Sequence, residues 1–306
     1  VNQSLTTGRW QLGLGLSLFT TVLFGILPIV LKGLLASLDV YTLTWFRFLL
    51  AAIVMTMVVT PHSRLAFTKF NRLAVGLLIL AGGSLCANYL LFLVGLRYVT
   101  PSTAQVLMQL TPILLLLGSL LLFGEPYSPK QWLGLGLLLL GLVLYFNRQL
   151  GPLVSQLTGD TIGILLMFAS ALTWAVYGLA QKRLTQWFPA TFTALFVYWL
   201  GTFIFWPLAE PARLLQLDRV IWLPLTYSAL STFLVYWAFA EALNHWAASR
   251  ISAVLALGPI VTVVAVQVIS TVWPGWVQPE PLSLLSMGGI LLVITGSMLS
   301  ALGRAL

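Results

Sequence analysis

The apolar positions of this chain do not recur at helical spacing on one face. They run together in blocks separated by short polar or proline-bearing breaks. Stretches such as Ile113 to Phe123 and Leu133 to Phe146 are apolar all round. A surface helix of a water-soluble protein keeps a polar face, so a helix without one is surrounded by protein or lipid. Crossing a bilayer takes about 20 mainly apolar residues. The pattern predicts ten spans, near 10–33, 39–60, 72–97, 101–123, 129–147, 160–184, 190–209, 219–243, 249–271 and 283–303. The expected fold is an all-α membrane protein.

The second half of the chain echoes the first. Tyr89, Phe92, Leu96, Ser102, Leu110 and Pro112 recur 147 residues later as Tyr236, Phe239, Leu243, Ser249, Leu257 and Pro259. Glu125, Pro126, Ser128, Gly134 and Gly141 recur at an offset of 155 as Glu280, Pro281, Ser283, Gly289 and Gly296. The change of offset places an eight-residue insertion in the stretch containing Val272, Trp273, Pro274 and Gly275. Loops absorb insertions and packed helices do not, so a loop is expected there. The units are residues 1–150 and 151–306, each with five spans. An odd number of spans makes the second unit enter the membrane from the opposite side, and inverted repeats of this kind build carriers that alternate access around a central site.

Charge sets the expected orientation. Lys and Arg concentrate on the cytoplasmic side. With the N-terminus inside, the inner segments hold nine (Arg9, Arg64, Lys69, Arg72, Lys130, Lys182, Arg183, Arg250, Arg304) and the outer loops five (Lys32, Arg97, Arg148, Arg213, Arg219). Both termini are therefore expected to be cytoplasmic, in the cell membrane of a bacterial-type cell. Only 7 % of residues are charged, where a soluble domain has about 25 %. The formal charge of +8 is scattered through loops and forms no basic cluster, which argues against a nucleic-acid partner. Cys86 is the single cysteine, so neither a disulfide nor a cysteine-based metal site is available. The only histidines, His62 and His245, fall at loops or span ends, and no nucleophile–base or metal-ligand spacing occurs within a span. No phosphate-binding G-x-x-x-x-G-K-[ST] loop occurs either. No catalytic residue, metal or cofactor is expected, and the partners are a small-molecule substrate and the lipid bilayer, with a monomer sufficient.

A carrier needs polar groups at mid-membrane depth to replace part of a solute's hydration shell. The candidates are Asn88 and Tyr89 in span 3, Gln105 and Gln109 in span 4, Trp174 and Tyr177 in span 6, and Tyr236 and Trp237 in span 8. Tyr89 and Tyr236 are repeat mates, as a site on a pseudo-two-fold axis requires. The competing reading is that these groups glue helices together, at about 0.6 kcal/mol each. Arg47 lies about eight residues into span 2, where an arginine costs at least ~2.5 kcal/mol unless compensated. It either snorkels, anchors neighbouring carbonyls, or lines the cavity and attracts a carboxylate. Pro28, Pro112 and Pro259 each remove a helical hydrogen bond, so they serve as hinges or as static kinks. Gly134/Gly141 and Gly289/Gly296 permit close helix contact, with spans 5 and 10 facing each other.

The run Gly95-Leu96-Arg97-Tyr98 through Pro112, then Phe123-Gly124-Glu125-Pro126, Gln131, Gly134 and Gly141, resembles the signature of the EamA family of the drug/metabolite transporter superfamily. Ala242-Leu243, Pro259, Glu280, Gly289 and Gly296 repeat it, and Phe24-Gly25 and Arg47 are similar to family positions. Asn244-His245 and Pro279 depart from the pattern. The resemblance implies ten helices with inside termini, and export or exchange of small metabolites, commonly amino acids, as in bacterial amino-acid exporters. A drug, nucleoside or lipid-like cargo is the alternative; a channel or an intramembrane enzyme is a more distant one.

Overall fold

The computed structural model describes residues 10–58, 71–124, 128–147 and 158–302. The repeat residues Glu125 and Pro126 lie outside them, as do Arg9, Arg64, Lys69, Arg148 and Arg304 of the charge count. The described residues form helices, short 3-10 turns and connecting loops, with no strand among them. The helices are α1 (Trp10–Leu34), α2 (Val40–Val58), α3 (Arg72–Tyr98), α4 (Pro101–Met108), α5 (Leu110–Phe123) and α6 (Pro129–Tyr145). Then come α7 (Gly159–Leu184), α8 (Ala190–Phe205), α9 (Arg219–His245), α10 (Ala248–Leu255), α11 (Gly258–Val272) and α12 (Leu284–Leu302). Among the described residues, nine helical stretches are long and apolar enough to cross a membrane, counting α4 with α5 and α10 with α11 as single stretches. The apolar helix α6 is shorter, at 17 residues.

Short polar side chains start the helices by accepting from amides that have no partner in the first turn. Asn71 accepts from Ala74 N, Thr100 from Thr103 N and Thr158 from Thr161 N. Ser128 and Gln131 form a reciprocal capping box at α6. Asp39 Oδ1 accepts from the amides of Tyr41 and Thr42, each at 2.9 Å, ahead of α2. Burial pushes the Asp39 carboxyl up, but bonds from the Thr42 side chain and these amides outweigh it and hold the group below its usual range.

Two segments read from the sequence as continuous spans are broken. The fourth breaks at Gln109, between α4 and α5, and the ninth at Ala256-Leu257, between α10 and α11. The prolines explain the position. Pro112 and Pro259 have no N–H to offer Met108 O and Leu255 O, and these are the last residues of α4 and α10. The chain tightens there: Gln109 N donates to Val106 O at 3.1 Å and Leu257 N to Val254 O at 3.0 Å. The third proline, Pro28, stays inside an unbroken α1. Its neighbour Gly25 offers a carbonyl to the Thr262 hydroxyl of α11 at 2.7 Å, which restrains the weakened turn.

Helix packing interleaves the two halves. The most extensive contacts are α3 with α7, α6 with α12, α1 with α9 and α2 with α8. Exchanging the halves converts the first of these pairs into the third and leaves the other two unchanged. The α6–α12 seam is made by the four glycines. A Cβ on Gly134 would stand 2.6 Å from Gly296 O, and one on Gly141 would stand 2.7 Å from Gly289 O, so backbone meets backbone. Residues 134 and 141 meet 296 and 289 in reverse order, so the two helices are antiparallel. α2 and α8 are antiparallel as well: Trp45 packs on Trp206 at 5.3 Å, while Trp199 Nε1 donates to Thr56 Oγ1 at 3.2 Å. The inserted stretch is a loop, with Gly275 at φ +92° and Trp273 stacked on Trp276 at 4.7 Å.

Candidate substrate-binding site

Depth follows from helix geometry. Tyr89 is ten residues before the α3–α4 turn at Val99, and Gln109 is ten residues after it. At 1.5 Å per residue both lie about 15 Å from that end. Tyr236 and Ala256 stand in the same relation to Trp246. The two helix breaks meet: Gln109 Nε2 donates to Ala256 O at 3.4 Å, and Gln109 Oε1 accepts from Ser297 Oγ at 3.1 Å. Gln105 lies one turn away, with its amide against Gly258 at the second break. Gln109 is thus engaged by protein, and Gln105 keeps part of its surface open.

Tyr89, Tyr177, Tyr198 and Tyr236 converge from α3, α7, α8 and α9. Tyr236 also faces Trp174, which packs edge-on against Tyr177 at 6.3 Å. Tyr89, Trp174 and Tyr236 keep part of their surface open, whereas Tyr177 and Tyr198 are buried. Tyr198 Oη donates to Thr232 O at 3.5 Å, a long bond. Phe48 closes the cluster, with its ring 4.7 Å from that of Tyr89 and 6.0 Å from that of Phe205.

Arg47 does not snorkel. It is 4 % exposed, its Cζ lies 4.6 Å from the centroid of the Tyr89 ring, and it ties α2 to α9. Nε donates to Ser228 O at 3.2 Å and Nη2 to Thr232 Oγ1 at 3.3 Å. Among the described residues no carboxylate forms an ion pair with it. Tyr198, Ser228 and Thr232 were not singled out from the sequence; the signal present was a tyrosine within span 7 and hydroxyls one helical turn apart on span 8.

Two candidates face elsewhere. Asn88 Nδ2 donates to both Ser170 O and Ser170 Oγ at 2.8 Å, and Ser170 Oγ donates back to Asn88 O at 3.2 Å. All of its amide donors are spent joining α3 to α7, as the glue reading expects. Trp237 is 49 % exposed, on a different face of α9 from Tyr236, because successive residues of a helix point about 100° apart.

One end of the bundle carries a second polar group. Lys32 Nζ donates to Leu96 O, Arg97 O and Val99 O at 2.6, 3.0 and 3.1 Å, capping α3 from α1. Glu280 accepts from Thr100 Oγ1 at 3.0 Å and from Ser102 N at 3.4 Å, at the positive N-terminus of α4. Burial is the largest influence on its carboxyl and pushes it up; the hydrogen bonds and Lys32 oppose this without cancelling it. Recurrence of Glu125 as Glu280 was the sequence signal for this position. Its role stayed hidden because Thr100 is 180 residues away along the chain.

A bundle of apolar helices, two of them broken at its middle around a buried arginine and four tyrosines, has the organisation of a membrane carrier. Comparison with known proteins agrees. The profile of the EamA-like transporter family matches residues 11–147 and again 161–302. An uncharacterized inner membrane transporter of Escherichia coli, YhbE, is 32 % identical over 300 residues, covering 97 % of this chain and 94 % of that protein. An uncharacterized transporter of Haemophilus influenzae is 31 % identical, covering 96 % of each chain. A solved crystal structure superposes with a TM-score of 0.58 at 18 % identity, covering 94 % of this chain and 99 % of that one, which speaks for the fold alone. The chain belongs to the EamA-like transporter family, within the drug/metabolite transporter superfamily, and is a multi-pass inner-membrane protein.

Proposed function

We propose that this protein is a secondary transporter, not an enzyme, that exports or exchanges small metabolites, amino acids or related solutes, by alternating access around the central tyrosine cluster. The observation that carries the proposal is the meeting of the two helix breaks, Gln109 on Ala256, at the depth of the tyrosines. Unwound turns free backbone groups where a solute needs them, and two half-helices can tilt about such a point without loss of packing elsewhere. On this reading Tyr89, Trp174, Tyr236, Gln105 and Arg47 touch the solute. Gln109 and Tyr177 support them, and Pro112 and Pro259 are the hinges.

The proposed architecture is two inverted five-helix repeats, 1–150 and 151–306, with ten spans and both termini cytoplasmic. Antiparallel packing of α6 on α12 and of α2 on α8, which are repeat mates, supports the inversion. At 17 residues α6 reaches about 26 Å, close to the ~30 Å hydrocarbon core, and serves as the fifth span. Fusions of a cytoplasm-active reporter to each terminus test the orientation: activity is expected at both, and a silent terminus refutes it.

Uptake and counterflow of a radiolabelled amino-acid panel in proteoliposomes, with and without a proton gradient, test the function. Saturable counterflow is expected for at least one member. A flat response across the panel, with counterflow of a drug, nucleoside or lipid-like solute instead, replaces the amino-acid reading. Flux that never saturates points to a channel and overturns the carrier.

A further inference from the structure

Arg47 is held in a way that leaves one side of its guanidinium unused. The group presents five N–H donors in a planar fork. Nε and Nη2 form its lateral edge, and both are occupied, by Ser228 O and Thr232 Oγ1. The opposite edge comprises Nη1 and the second proton of Nη2. Among the described residues Nη1 meets no hydrogen-bond acceptor, and it is not one of the fully buried unpaired polar atoms. An arginine placed only to brace α2 against α9 would need the occupied edge alone. Burying three further donors without acceptors is costly unless a ligand or water completes them.

The surroundings define what would complete them. The guanidinium lies over the Tyr89 ring, with Tyr198 and Tyr236 beside it. Among the described residues neither an acidic partner nor a second basic side chain engages this group. One fixed positive charge in an aromatic enclosure is neutralised by one negative charge. The free edge has the spacing that a carboxylate fills with two parallel N–H···O bonds. The partly open rings of Tyr89, Trp174 and Tyr236 suit an apolar or ammonium-bearing remainder.

We propose that the free edge of Arg47 is an anion subsite that recognises the carboxylate of the transported solute, so that the cargo is a monocarboxylate, zwitterionic amino acids included, and not an amine, an amide or a neutral sugar. This rests on the central-site reading given above and adds the group by which the solute is held. Sequence reasoning left anchoring and cavity roles open for Arg47; on this proposal the two edges divide them.

The test uses the full-length protein in proteoliposomes and six probes: L-leucine and L-phenylalanine, their carboxamides, and the corresponding amines 3-methylbutylamine and 2-phenylethylamine. In wild type, at least one acid is expected to drive counterflow with an apparent affinity about tenfold or more above that of its own amide and amine, because the amide supplies no charge and the amine no acceptor. In Arg47→Lys, which keeps the charge but loses the planar fork, the acid is expected to fall about tenfold toward the amide. The amide itself should be unchanged. The wild-type comparison needs no variant, so it can overturn the carboxylate subsite even if Arg47→Lys does not fold, and Arg47→Gln then tests the assignment to Arg47. Equal handling of acid and amide by the wild type overturns the subsite and leaves the carrier standing. An acid preference that survives unaltered in Arg47→Lys and Arg47→Gln overturns the assignment to Arg47. No counterflow of any of the six, or of any acid of the wider amino-acid panel, overturns the subsite together with the amino-acid cargo.

Discussion

Gly288 and Gly289 are adjacent in α12, yet a methyl group added to each meets opposite circumstances. At Gly288 it meets nothing within 4 Å. At Gly289 it stands 2.5 Å from Tyr145 N, 2.7 Å from Gly141 O and 2.9 Å from Tyr145 Cα. Ordinary contact begins near 3.4 Å, so α6 and α12 must part by roughly 1 Å, against a close-packed seam. Overpacking of this kind costs about 1–3 kcal/mol. Replacing glycine by alanine within a helix returns about 1 kcal/mol of propensity at either position. That term cancels between the two variants, so Gly289→Ala is expected to be about 1–3 kcal/mol less stable than Gly288→Ala. Thermal unfolding of the two purified proteins in one detergent measures this, with Gly288→Ala expected at or above wild type. Coincident melting curves would refute the backbone seam, and with it the antiparallel contact that supports the inverted architecture.

Three further expectations follow from the polar groups. Tyr89→Phe and Tyr236→Phe keep their rings but lose the hydroxyl that the proposed site offers to the solute. Counterflow of whichever solute the wild type carries should weaken about two- to tenfold, the worth of one hydrogen bond, and wild-type flux in both would remove the pair from the site. Asn88→Ala removes two of the three bonds between α3 and α7 and leaves Ser170 Oγ with a single acceptor. It should lower stability by about 1–2 kcal/mol in thermal unfolding without altering the acid-to-amide preference; a changed preference would return Asn88 to the cavity. Glu280, whose carboxyl is raised chiefly by burial, binds its proton more tightly in the folded protein than in the unfolded chain. The stabilisation is complete below the ordinary carboxylate pKa of about 4.3 and is lost as pH rises through the higher folded value. Melting temperature should therefore decline over that window in wild type and more shallowly in Glu280→Gln, a profile read by scanning fluorimetry; an equal or steeper decline in the variant would contradict the burial argument.

What could be read in advance was what a single position carries on its face. The glycines at 134, 141, 289 and 296 announced a close seam because nothing but close approach explains glycine recurring at that spacing in two apolar helices. The loop that follows Val272 was legible from a change of offset alone. The breaks at Gln109 and Ala256 were only half legible: Pro112 and Pro259 showed that a hydrogen bond must be missing, but bending and breaking look alike in sequence. Trp237 was misplaced by one residue's worth of helix rotation, since neighbours in sequence diverge by about 100° and apolar surroundings do not say which face is inner. Asn88 has the same composition whether it meets a solute or Ser170, and the answer is in the tertiary partner, 82 residues on. The two edges of Arg47 could not be told apart until Ser228 and Thr232 were seen to share one of them.

The tie between the two helix breaks has a consequence for the resting state. A carrier assembled from two identical halves would face each side of the membrane equally often, because exchanging the halves turns one orientation into the other. Here the residue at the first break is Gln109, with a side chain long enough to reach the opposite break, and its repeat mate is Ala256, which offers only a carbonyl. The Gln109–Ala256 and Gln109–Ser297 bonds therefore have no counterpart under that exchange, so a change of orientation that broke them would form no equivalent pair in return. A bond of this sort is worth about 0.5–1.5 kcal/mol, a roughly two- to tenfold population bias. On the proposed alternating-access reading, the side on which the empty protein waits is thus set where the halves fail to match, in residues that need never touch the cargo.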